Sequence, residues 1–178
     1  MSSIAILDFD GVIADMTLHA QRAQELAKAF ALEQDPDTKS ETHRRALRDF
    51  FYSEQGFFNS TLAELDQPVA GCNKALEQTV KEYDTVIVLT SRPHSMREIT
   101  LKWFCQYCPG FENIEFIFKE SDESTLKTAI WKAQIVTFFA TRYNTILFID
   151  DDERNRMAVE SMLADNHNVT ITVKAYLE

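Results

Sequence analysis

Five short apolar runs punctuate the chain: Ile4–Leu7, Val86–Leu89, Ile114–Phe118, Ile146–Ile149 and Val169–Val173. The first four are nearly continuous in Ile, Val, Leu and Phe. That is the pattern of strands covered on both faces by helices, and hence of a parallel sheet. The fifth alternates polar and apolar positions, as an edge strand does. Between the runs lie helix-length segments. Met96, Ile99, Trp103 and Tyr107 recur at spacings of three and four, as do Leu126, Ile130 and Ala133, and both sets read as core-facing stripes. Further helices are expected near 73–83 and 153–165. The alternation predicts an α/β fold: a doubly wound, Rossmann-like parallel sheet of about five strands with right-handed crossovers.

The first crossover departs from this rhythm. About seventy-five residues separate the first run from the second, where a single helix would suffice. Two helical patterns fill the gap, Leu18–Leu32 with Leu26 and Phe30, and Thr42–Glu54 with Leu47, Phe50 and Phe51. Asp35-Pro36-Asp37 separates them, and Gly56-Phe57-Phe58-Asn59 leads on to Pro68 and Gly71. The expected organisation is a core formed by residues 1–11 and 71–178, with a small helical cap, 12–70, inserted after the first strand.

Composition narrows the possibilities. A chain of 178 residues that is 45% hydrophobic and 26% charged can bury a core, and its 13 Phe argue against disorder. A net charge of −10 counts against attachment to nucleic acid through a basic face, though not against a nucleic-acid end as substrate. No apolar run approaches the ~20 residues of a membrane helix, so no membrane partner is expected and the cytoplasm is the expected compartment. Three cysteines make no disulfide framework, and Cys105-x-x-Cys108 lacks the second pair that a zinc site needs.

The chemistry-bearing residues follow the strands. The first run ends Leu7-Asp8-Phe9-Asp10-Gly11-Val12, the second Leu89-Thr90-Ser91-Arg92, the fourth Ile149-Asp150-Asp151-Asp152-Glu153. Open α/β sheets bind ligands outside the carboxyl ends of their strands, where the strand order reverses. One such site would gather Asp8, Asp10, Thr90, Asp150 and Asp151. At an effective dielectric near 20, two like charges ~4 Å apart cost about 4 kcal/mol. A hard divalent ion relieves that repulsion, and Mg²⁺ suits a site that also takes phosphate. Read alone, 150–153 is a solvated acidic turn capping a helix; with Asp8-x-Asp10 on a second buried strand, the metal-and-phosphate reading is favoured.

In order, Asp8-Phe9-Asp10-Gly11-Val12, Thr90-Ser91-Arg92, a lysine and Ile149-Asp150-Asp151 resemble the four motifs of the haloacid dehalogenase-like (HAD) superfamily. The resemblance implies a HAD-type fold and a phosphatase with an aspartyl-phosphate intermediate. Asp8 would be the nucleophile and Asp10 the general acid, then base. Thr90 would bind a phosphate oxygen. Asp8, the Asp10 carbonyl, Asp150 and Asp151 would hold Mg²⁺, with the direct ligand of the last two left open. The motif lysine is one of Lys119, Lys127 and Lys132. Trp131-Lys132-Ala133-Gln134-Ile135 is most similar to the family's aromatic-Lys-x-x-Ile helix start, which favours Lys132.

Two subfamilies share further detail. Gly56-Phe57-Phe58, with Pro68-Val69-Ala70-Gly71, is similar to the cap-to-core return of 5′(3′)-deoxyribonucleotidases, whose aromatic residues border a nucleoside pocket. Val88-Leu89-Thr90-Ser91-Arg92 is similar to the 3′-phosphatase domain of phage polynucleotide kinase. Phe57, Phe58, Ser91 and Arg92 are accordingly candidate substrate-binding residues, Arg92 by bidentate contact with phosphate. The expected substrate is a small phosphorylated molecule, foremost a nucleotide, with a polynucleotide 3′ end as the alternative. A non-catalytic phosphoacceptor or scaffold module is the remote one: receiver modules place Asp, Thr and Lys in a different order.

Overall fold

A computed structural model describes residues 2–120, 127–166 and 168–176. Five parallel strands form the central sheet: β1 (Ser3–Leu7), β4 (Thr85–Pro93), β5 (Glu115–Lys119), β6 (Thr145–Ile149) and β7 (Thr170–Lys174). Their spatial order is β5-β4-β1-β6-β7. The chain first builds outward from β1 through β4 to β5, then returns to β1's other side for β6 and β7. The order therefore reverses beside β1, and the crevice expected of a doubly wound sheet opens where β1 and β6 end. Registers Leu7↔Val88 and Leu7↔Ile149 bring Asp8 level with Leu89 of β4 and with Asp150, just beyond the end of β6.

The pleat explains why β1 is apolar without interruption. Ala5 and Leu7 face one cluster, together with Leu76, Trp103 and Phe104. Ile4 and Ile6 face the other, with Trp131, Val136 and Val159. Helices α3 (Cys72–Glu82) and α4 (Arg97–Tyr107) thus cover one face, and α5 (Thr128–Phe139) and α6 (Glu153–Leu163) the other. On β7 burial alternates, as befits the edge.

The segment between β1 and β4 contains α1 (Thr17–Gln34) and α2 (Glu41–Phe51), broken at Asp35 as expected. Its entrance and exit are tied by a two-stranded antiparallel ribbon that the sequence reading did not include, β2 (Ala14–Asp15) against β3 (Gln67–Pro68). Two-residue strands carry no periodicity. The buried stripe of α1 is His19, Ala23, Ala27 and Ala31 rather than Leu26 and Phe30, which are half-buried at its flanks.

Two further expectations are corrected. The second strand continues past Leu89 to Pro93, so Thr90, Ser91 and Arg92 all lie on β4, with a register irregularity between Thr90 and Pro93. In α5 the buried positions are Trp131, Lys132, Ala133 and Val136, whereas Ile130 is 43% exposed. This helix is apolar on nearly every side, so periodicity could not choose its inner face; Leu126 lies outside the described residues.

Ile6 is fully buried in the central strand, whereas Leu18 is 56% exposed on α1. Ile6→Ala is expected to cost about 2–5 kcal/mol in urea unfolding, and Leu18→Ala less than about 0.5 kcal/mol. Similar losses would contradict this placement of the core.

Candidate active site

The ends of β1 and β6 bring three carboxylates together. Asp8, Asp150 and Asp151 each offer an oxygen within 4.8 Å of the others. The Asp8 backbone N–H donates to Ile149 O at 2.8 Å, so the two strand ends are locked side by side. Lys132 enters from α5. Its Nζ lies 2.8 Å from Asp8 Oδ1 and 2.7 Å from Asp150 Oδ2, with the side chain 1% exposed. Lys127, at the exposed start of α5, and Lys119, at the end of β5, stand outside this cluster.

Each acid has a different environment. Asp150 is fully buried, and besides Lys132 it accepts from Asp152 N–H and from Asn155 Nδ2, each at 3.0 Å. Asp152 caps α6 by accepting from Arg154 N–H at 2.9 Å, which places Asn155 in the first turn facing Asp150. The acidic turn therefore does both jobs: Asp152 caps, and Asp150 is drawn inside. Arg156 donates to the carbonyls of Asp150 and Asp151 at 2.6 and 2.7 Å, which holds the turn. Asp151 is exposed and rests against Gly11, where any Cβ would collide with its carboxyl group. Gly11 also has φ +80°, and it is this backbone conformation that calls for glycine there.

Burial pushes the Asp8 carboxyl up to about 8, and neighbouring Asp150 and Asp10 add to the rise while Lys132 opposes it. Asp151 is raised by partial burial and by Asp150. For Lys132, burial lowers the ammonium, but Asp8 and Asp150 outweigh it and the net shift is upward. Three carboxylates share one lysine, so the cluster is short of positive charge.

The second motif divides. Thr90 is fully buried on β4, one position beyond the level of Asp8, and its Oγ1 accepts from Arg92 N–H at 3.2 Å, leaving the hydroxyl hydrogen to donate. Arg92 does not face a ligand. Its side chain is fully buried and turned to Asp10, with Nη2 2.7 Å and Nε 3.0 Å from Asp10 Oδ1. The expected phosphate contact by Arg92 is therefore corrected: two internal carboxylates, Asp10 and Asp66, already hold the guanidinium. Asp10 is 9% exposed and its side chain stands apart from the Asp8–Asp150–Asp151 group.

Phe57 and Phe58 are half-buried and pack edge to face at 5.7 Å. They line a cavity of about 310 Å³ with Tyr52, Ser91, Lys119 and Glu120. Ser91 follows Thr90 directly, so the cavity meets the end of β4. A larger hollow of about 810 Å³, lined by Phe30, Arg45, Asp49 and Phe50, takes no residue from the carboxylate cluster and lies within the inserted segment. Arg44, Arg45 and Arg48 form exposed pairs with Glu41 and Asp49, in keeping with a solvated helix face. Cys105 is exposed and Cys108 buried; burial and neighbouring Cys72 push the Cys108 thiol up to about 12, which makes it a poor nucleophile.

Sequence reasoning missed Tyr52, Asp66, His19 and Asn155. Asn155 lies five residues beyond Asp150, and a capping Asp before α6 was the available signal for it. For His19 and Asp66 no local signal existed, since each acquires its partner across the fold.

No family model matches the chain, and no curated protein matches it. Solved structures do share its architecture. A HAD-superfamily hydrolase, subfamily IA, variant 1, from Geobacter sulfurreducens aligns with a TM-score of 0.58 at 16% identity, covering 98% of this chain and 91% of that one. A predicted phosphatase from Clostridium acetobutylicum aligns at 0.56 and 13%, covering 98% and 94%. Protein tyrosine kinase A of Mycobacterium tuberculosis aligns at 0.61 and 12%, covering 96% and 82%. The chain has the HAD-type α/β fold. Since these namesakes include a kinase beside hydrolases, activity has to be argued from the site.

Lys132 is the only cation paired with the carboxylates of Asp8 and Asp150 among the described residues. Lys132→Met is expected to destabilise the protein by about 3–5 kcal/mol in urea unfolding at pH 8, because two buried acids lose their counter-charge. The loss should shrink at pH 5, where a protonated Asp8 needs none. A pH-independent loss would contradict this pairing.

Proposed function

We propose that the chain is a Mg²⁺-dependent phosphomonoesterase that works through an aspartyl-phosphate on Asp8, with a nucleotide as substrate and residues 12–70 as its cap. The observation that carries this reading is the sharing of one buried lysine among carboxylates at the strand-order reversal. Such an arrangement is short of positive charge in the place where a phosphate would add more negative charge.

The donor set fits the metal. Asp8, Asp150 and Asp151 supply hard oxygens within 4.8 Å of one another, as a small divalent cation requires. Together with the Asp10 carbonyl they would hold Mg²⁺, which supplies charge neutralisation for the phosphoryl oxygens and for Asp8 itself. The protein groups then divide the work. A carboxylate oxygen of Asp8 attacks phosphorus, the bond to the ester oxygen breaks, and the Asp10 proton passes to that oxygen. Thr90 donates its hydroxyl to a phosphoryl oxygen, and Lys132 keeps Asp8 oriented while offsetting charge. In the second half, Asp10 takes a proton from water, the water oxygen bonds to phosphorus, and the Asp8–phosphorus bond breaks. Asp8 is regenerated and inorganic phosphate leaves.

The cavity of about 310 Å³ supports a substrate with one aromatic base rather than a polymer. Phe58 and Tyr52 offer stacking faces, the Phe57 ring being stacked on His19 and Phe51, while Ser91, Lys119 and Glu120 offer polar edges. The polynucleotide 3′ end is the weaker reading, since the α2 arginines that would track a backbone are occupied by Glu41 and Asp49.

Asp8→Asn tests the core of the proposal. With p-nitrophenyl phosphate and Mg²⁺, kcat is expected to fall by about a thousandfold or more while the circular dichroism spectrum is kept, and chelation of the wild type should have the same effect. Turnover within a fewfold of wild type in a purified, folded Asp8→Asn sample would refute the nucleophile.

Phe58→Ala separates the substrates. Loss of stacking, ~1–3 kcal/mol per base, should lower kcat/KM for a mononucleotide roughly tenfold to hundredfold relative to p-nitrophenyl phosphate. Phe58 is the cleaner choice because the Phe57 ring also covers His19, at 4.7 Å between centroids. An unchanged ratio, with salt-sensitive hydrolysis of a 3′-phosphorylated oligonucleotide, would favour the polynucleotide end.

A further inference from the structure

Behind Asp10 runs a chain of buried polar contacts that the reaction scheme does not use. Arg92 divides its guanidinium among three side chains. Nη2 and Nε hold Asp10, Nη2 also lies 2.6 Å from Asp66 Oδ2, and Nη1 donates to Thr100 Oγ1 at 3.2 Å. The group packs over the Phe9 ring, 4.6 Å from its centroid. Asp66 passes the contact on: its Oδ1 lies 2.8 Å from His19 Nδ1, and its backbone carbonyl accepts from Trp103 Nε1 at 3.0 Å. His19 Nε2 in turn lies 2.7 Å from the Phe57 carbonyl.

Hydrogen-bond accounting fixes the direction of these contacts. A carbonyl can only accept, so Nε2 of His19 carries a hydrogen. Asp66 Oδ2 already faces Arg92, and a second hydrogen lies between Nδ1 and Oδ1. The side chains of Arg92, Asp66 and His19 have 0% exposure, and that of Asp10 has 11%. The path thus leads from the carboxyl that moves protons to the backbone of the loop whose rings line the cavity, with solvent excluded between. A guanidinium held by Asp10 alone could swing about its long side chain. A second carboxylate on its far side fixes the plane in which Asp10 is presented.

We propose that Asp66 and His19 are positioning residues: through Arg92 they orient Asp10, and through the Phe57 carbonyl they make that orientation depend on the seating of the inserted segment. The role given to Asp10 rests on the phosphatase reading; the mechanical linkage does not.

The test uses two esters of equal size and unequal leaving groups, phenyl phosphate and p-nitrophenyl phosphate. A well-oriented acid matters for phenolate and little for p-nitrophenolate, and kcat/KM reports the steps through formation of the aspartyl-phosphate. Asp66→Asn and the milder His19→Gln are each expected to lower kcat/KM for phenyl phosphate at least tenfold more than for p-nitrophenyl phosphate. A loss shared equally by both esters would mean a merely structural role and overturn the proposal. Independently of catalysis, solvent exchange of the Arg92 Nε hydrogen, followed by ¹⁵N NMR, should quicken at least tenfold in both variants. An unchanged exchange rate overturns the proposal whatever the kinetics. If the wild type hydrolyses neither ester, the phosphatase reading falls and the exchange rates alone decide the linkage.

Discussion

Two buried cations, each divided between two carboxylates, are the constraint on which the rest of this molecule is arranged. Lys132 stands between Asp8 and Asp150, and Arg92 between Asp10 and Asp66. A buried acid without a partner is expensive, and a cation with only one acid would leave the second uncompensated. The four carboxylates come from β1, β6 and the end of the inserted segment; the two cations come from α5 and β4. Satisfying the charges therefore requires that all of these elements meet at one end of the sheet. Electrostatics here selects the tertiary arrangement as much as it follows from it.

The two pairs do different things because their surroundings differ. Around Lys132 three acids face one base once the exposed Asp151 is counted, and the Asp8 carboxyl is pushed up to about 8. That cluster has room for a further cation and a reason to take one. Around Arg92 the guanidinium itself is fully buried and held by Asp10, Asp66 and Thr100, so it takes no ligand and acts as a brace behind Asp10, whose side chain keeps 11% exposure. The same residue types thus make a charge-deficient cluster around Lys132 and a buried brace around Arg92.

The inserted segment is joined to this arrangement at two levels. The β2–β3 ribbon ties its two ends together at the sheet, and the Asp66–His19–Phe57 path ties its interior to Asp10. The alanine stripe of α1 leaves little bulk along its buried face, which places His19 within reach of both Asp66 and the Phe57 carbonyl. The rings that line the cavity and the Asp10 carboxyl consequently share a framework, although they belong to separate parts of the chain.

By itself the sequence determined the five strands, their parallel sheet, the two helices of the insertion and the positions of Asp8 and Asp150 just beyond the ends of their strands. All of these follow from local periodicity and from the abrupt change from apolar to acidic residues at strand ends. Lys132 was the favoured lysine by resemblance, and only the fold brought its Nζ between two acids. What the tertiary structure alone decided is the partner of each polar group. Arg92, two residues beyond Thr90, read as a ligand contact, but Asp66, which lies 26 residues away in the chain, pulls it inward. The inner face of α5, the ribbon closing the insertion, and the burial of His19 were equally out of reach. Each depends on which surfaces meet once the sheet is formed, and pairing between distant charges leaves no period in the chain from which it could be read.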